Sequence, residues 1–127
     1  MNLFNQVVSP VGRGLLALIF IASGAGKISA YAATQGYMGA MGVPGELLPL
    51  VILTEVGGGL ALLLGWQARI AALALAGFSL LAAVLFHNNF EDQIQMIMFM
   101  KNLSIAGGLL FVAANGAGPV AMDNRRS

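Results

Sequence analysis

Apolar residues run along this chain in four long blocks, about 11–28, 47–65, 70–86 and 94–114, each close to the ~20 residues a helix needs to cross bilayer hydrocarbon. The pattern predicts an all-α membrane protein: a four-transmembrane-helix antiparallel bundle forming a single transmembrane domain over residues 1–127. Only Trp66-Gln67-Ala68-Arg69 joins the second and third blocks, which forces a helical hairpin. Met1–Pro10 reads as a short polar lead, with Pro10 near the start of the first helix, where a missing N–H costs nothing. Ala30-Tyr31-Ala32 fits the small-residue pattern of a leader cleavage site, but Lys27 breaks the apolar stretch before it, so the first block is read as a span.

Ser29–Met41 is too polar to span. Within it Ala30, Ala33, Tyr37, Met38 and Met41 recur at helical spacing, which predicts a short interfacial helix between helices 1 and 2, stopped by Gly42 and Pro44. The alternative is an irregular polar loop. Tyr31 and Tyr37 suit headgroup depth on one side of the membrane and Trp66 on the other. Gly57, Ala61 and Gly65 fall four apart on the second span, as do Ala72 and Ala76 on the third, a spacing that lets helix backbones approach closely.

Composition narrows the chemistry. Apolar residues make up 58% of the chain and charged residues 9%, where soluble domains carry about a quarter. Without cysteine there is no disulfide exchange, thiolate metal site, iron–sulfur cluster or covalently attached c-type haem, so no cofactor is expected in this chain and any electrons must be borrowed. A single histidine excludes bis-histidine haem. His87 with Met96, Met98 or Met100 leaves His/Met ligation formally open, but only Met96 and Met100 share a helical face, which fits packing better than copper(I), and no metal is expected. A net charge of +1 with no basic block gives no reason to expect nucleic acid. Arg13, Arg69, Arg125 and Arg126 fall on one side of the membrane, against Lys27 and Lys101 with Glu46, Glu91 and Asp92 on the other. The positive-inside rule then puts both termini in the cytoplasm.

Charges within the spans call for compensation, because a lysine near the centre of a span costs roughly 2.5–3.5 kcal/mol on insertion scales. Counted at 1.5 Å per residue, Glu55 lies roughly 12 Å and Lys101 roughly 10 Å below the outer boundary, with Lys27 and His87 near the outer ends of their helices. A lysine stem can carry its ammonium along a helix, so Glu55 is met by Lys101, by Lys27, or by both. Asn102 points about 100° away from Lys101 and suits a hydrogen bond to a neighbouring helix. Arg13 either snorkels to the headgroups or turns inward toward Glu55. Two readings of the cluster stand open: a structural clasp, or a polar outward-facing cavity that binds a small ligand, with His87 as proton donor or contact residue at its mouth.

The stretches GRGLLALIFIASGAGK (12–27), YMGAMGVPGELLP (37–49), TEVGGGLALLLGWQAR (54–69), FHNNF (86–90) and MKNLSIAGGLL (100–110), together with Gly116-Ala117-Gly118, resemble the DoxX family of small four-helix bacterial membrane proteins over nearly the whole chain. Ala121-Met122-Asp123 matches the family's following polar residues only loosely. The resemblance implies a multi-pass protein of the bacterial inner membrane, described as an oxidoreductase component, whose relatives are associated with thiosulfate:quinone oxidoreduction and with quinone and thiol-oxidative stress. It implies quinone as ligand or substrate. Three functions stand as expectations: a membrane subunit of a quinone-linked or stress-related oxidoreductase system, a transporter or permeability factor for a small molecule, aromatic ones included, and a non-catalytic scaffold or assembly factor. At this length a homo-oligomer or a partner redox protein within the lipid bilayer is expected.

Overall fold

The computed structural model describes residues 3–87, 89–118, 121 and 123. Arg125 and Arg126 of the topology count, Asn88 and Met122 of the family stretches, and the first two residues of the polar lead lie outside them. The described chain forms α1 (Leu3–Ser29), α2 (Tyr31–Ala40), α3 (Gly45–Leu64), α4 (Ala68–Phe86) and α5 (Gln93–Asn115). All but α2 are long and apolar enough to cross a membrane. α1 begins before its apolar block and carries Pro10 inside the helix, not at its start. There the ring leaves the Gln6 carbonyl without its usual i+4 donor.

α3 is not uniform. It opens with a 3₁₀ turn over Gly45–Leu47 and contains a π-helical turn over Leu53–Gly57. It then runs as regular α-helix from Gly58 to Leu64 and ends on Gly65, at φ +72°. A π turn inserts an extra residue into the helical repeat and so rotates everything before it relative to everything after. Glu55 sits in that turn.

Packing follows the small residues, though not the expected stripe. Gly24 of α1 lies against α3 so closely that a Cβ there would overlap Val56 Cγ2, and one on Gly59 would lie 2.8 Å from Ile21 Cγ1 of α1. On its other side, a Cβ at Gly58 would lie 3.1 Å from Leu75 of α4. The close approaches are therefore at Gly24, Gly58 and Gly59, while Gly57 is exposed and Ala61 only half-buried. α3 is flanked by two helices and needs bare backbone on two faces, which a single four-residue spacing does not describe. Ala72 and Ala76 of α4 are buried.

α4 packs on α5 about as extensively as α1 packs on α3, and α3 also meets α4, so the helices follow one another around the bundle as α1, α3, α4, α5. α1 and α5 touch sparingly, with Leu16 beside Gly108. The core holds Ala17 and Phe20 of α1, Leu62 of α3, Leu75 of α4, and Ala106 and Leu109 of α5. Large apolar side chains such as Leu15, Leu18, Ile70 and Phe111 point outward, where lipid solvates them. α2 docks on the bundle through buried Met38 and through Tyr37, whose ring stacks on Phe86 with centroids 5.5 Å apart.

Candidate functional site

Of the two lysines that the sequence offers to Glu55, the structure brings Lys27. Its Nζ lies 2.8 Å from Glu55 Oε1, with the glutamate side chain 4% and the lysine side chain 27% exposed. The ammonium also donates to Ser23 Oγ at 2.6 Å, one turn back on α1. Oε1 is buried and, among the described residues, takes no directed hydrogen bond, so its contact with Lys27 is one of charge more than of alignment. Glu55 is ten residues into a 20-residue span, hence about 15 Å from its start, in the middle of the helix. The glycine at position 24 is what lets α1 come near enough: the site where its Cβ would be is 3.3 Å from the Cβ of Glu55.

The other sequence candidates lie elsewhere. Lys101 is exposed on α5 and, among the described residues, has no ion-pair partner, because α5 packs chiefly on α4 and touches α1 only sparingly. Asn102, next to it, donates from Nδ2 to the Ser79 carbonyl of α4 at 3.4 Å. His87 ends α4, with Nδ1 3.3 Å from Gln95 Oε1 of α5. Two cavities among the described residues lie away from these groups. One, of about 1230 Å³, lies at the hairpin end of the bundle and includes Arg13, Arg69 and Asp123 in its wall. Another, of about 220 Å³ and nearly all apolar, lies between α2, α3 and α4 with Thr54 in its lining. Neither is lined by Lys27, Glu55, His87 or Lys101.

At the hairpin end the structure assembles a second charged cluster. Arg13 is buried and neither snorkels nor turns toward Glu55; its Nη1 donates to the carbonyls of Leu62 (3.1 Å) and Leu63 (3.2 Å). Asp123 accepts from the backbone N–H groups of Gln67 (2.7 Å) and Ala68 (2.9 Å), and its own N–H donates to the Gly65 carbonyl at 2.9 Å. A cation thus closes the C-terminus of α3 and an anion the N-terminus of α4, each on the side that the helix dipole favours. Gly65, between them, is pressed against Arg13 and Ala121 and could not carry a side chain even apart from its positive φ. Asp123 therefore caps α4 from a distance in sequence. The sequence signal was an absence: no Ser, Thr, Asp or Asn precedes Ala68, so α4 needed a cap from elsewhere. Asp123→Ala is expected to cost about 0.5–2 kcal/mol, measured as a lower thermal midpoint in detergent, with the Lys27–Glu55 pair intact.

The DoxX family model matches residues 10–88. Inner membrane protein YqjF of Escherichia coli (strain K12) is 56% identical over 113 residues, covering 89% of this chain and 87% of that protein. Inner membrane protein YphA of the same organism is 33% identical over an alignment of 128 residues, covering 95% and 91%. No solved structure matches the chain.

Proposed function

The chain belongs to the DoxX family of membrane proteins, and on that footing we propose that it serves as the integral membrane subunit of a quinone-linked, stress-related oxidoreductase system. The observation that carries the reading is a carboxylate buried in mid-span and held by a lysine that is itself still partly exposed. Ionisable groups at that depth are costly and mark functional sites more often than structural ones, and π turns concentrate at such sites. A quinone dissolves in the bilayer, so its head reaches Lys27 from the lipid side and needs no large polar cavity. The lysine ammonium donates a hydrogen bond to a quinone carbonyl, and Glu55, in contact with it, takes up or passes on the proton that accompanies reduction. Electrons come from a partner redox protein. That partner, or a second copy of the chain, docks along α5, where Lys101 faces outward within the span.

In this reading both termini are cytoplasmic, because Arg13 and Arg69 share the hairpin end and the sequence adds Arg125 and Arg126 to that side. The membrane is the bacterial inner membrane, as the names of the two relatives suggest. Titration of the purified protein in nanodiscs with menaquinone and ubiquinone analogues is expected to give saturable binding. Lys27→Gln, measured below its unfolding temperature, should weaken it about tenfold, the loss of one charge-assisted hydrogen bond. Binding that never saturates, or is indifferent to this substitution, overturns the proposal.

A further inference from the structure

We propose that the cleft at the hairpin end is a site for an anionic phospholipid, its phosphate beside Arg69 and one acyl chain lying between α1 and α5. The cleft occupies about 1230 Å³, more than the ~300–1,000 Å³ of small-molecule pockets, which leaves room for a headgroup and part of a chain. Its lining is divided. Toward the helix ends it presents Ser9, Arg69 and Asn115; further into the span it presents Leu16, Phe111 and Val112. That division, polar at the mouth and apolar within, is the order of groups along a phospholipid.

Bare backbone makes the space. A Cβ added at Gly12 of α1 would meet nothing within 4 Å, and on α5 Gly108 contributes no side chain to the wall. Since α1 and α5 otherwise touch sparingly, the cleft lies where the bundle is least closed. The charges favour an anion. Asp123, in the same wall, is held by the Gln67 and Ala68 amides and keeps its negative charge, which offsets that of Arg13 and leaves Arg69 as the net positive charge of the cleft. Arg69, exposed at the mouth, has no ion-pair partner among the described residues. A phosphodiester matches this balance, and basic pockets between spanning helices are established places for anionic headgroups. A free phosphate would use Arg69 and leave the apolar wall bare.

Native mass spectrometry of the purified protein with phosphatidylglycerol, phosphatidylethanolamine and water-soluble glycerol phosphate tests this. Phosphatidylglycerol is expected to be retained about fivefold over phosphatidylethanolamine. Arg69→Gln, at an exposed position, should erase that preference without lowering the melting temperature. Gly12→Leu, which fills open space, should reduce retention of both lipids. Equal retention of the two lipids by the unaltered protein, or a preference that survives both substitutions, overturns the proposal. So does binding of glycerol phosphate as tight as that of the lipid, which would make the cleft a soluble-anion site.

Discussion

Lys27→Met is expected to destabilise the folded protein by about 3 kcal/mol, the lower part of the range for removing one member of a buried ion pair, because the lysine keeps some access to its surroundings. The loss comes from what remains: a buried carboxylate in mid-span with no cation beside it. Lys27→Met/Glu55→Met removes both charges at similar volume and is expected to recover most of that stability, since a well-packed apolar pair replaces a buried ion pair at little cost. Thermal melting of the three proteins in one detergent reads the comparison. A single variant as stable as its parent would mean that the 2.8 Å ion pair contributes nothing to the fold. The double variant also separates clasp from site: if it folds and still binds quinone analogues, the pair is only a clasp, and if it folds and no longer binds them, the pair is the site.

The four spans were legible because a helix in lipid needs nothing but length and apolarity, and both are local properties of sequence. The partner of Glu55 was not, since depth along a helix put Lys101 nearer to its level than Lys27, and only the reach of a lysine stem kept Lys27 open. What separates them is which helix lies beside α3, and that depends on Gly24 meeting Val56 while α5 is engaged with α4. Arg13 and Asp123 were hidden for a related reason. Both act on backbone groups some 50 residues away, on carbonyls and amides that carry no signature in the side-chain sequence. The π turn at Leu53–Gly57 is likewise silent in the apolar pattern, although it sets the face on which Glu55 emerges. A run of three glycines, Gly57 to Gly59, was visible; that its second and third members face different helices was not.

Gly24→Leu and Gly26→Leu, two residues apart on α1, are expected to differ by several kcal/mol. At Gly24 the first atom added overlaps Val56 Cγ2 and approaches Glu55 Cβ to 3.3 Å and the Val56 backbone nitrogen to 3.4 Å. Valine is stiff at χ1 and backbone cannot yield, so α1 and α3 must separate. Overpacking of this kind costs about 1–3 kcal/mol by itself, and the separation also draws Lys27 away from Glu55, adding up to ~3 kcal/mol for the broken pair. At Gly26 an added Cβ meets nothing within 4 Å. There leucine only extends into lipid, and it replaces the weakest helix former other than proline, a gain of up to about 1 kcal/mol. Melting curves recorded side by side should show Gly26→Leu at or above the parent and Gly24→Leu far below it, with Gly24→Ala between. Equal midpoints for the two leucine variants would show that α1 and α3 do not meet at Gly24, the contact beside which Lys27 reaches a carboxylate in the middle of the membrane.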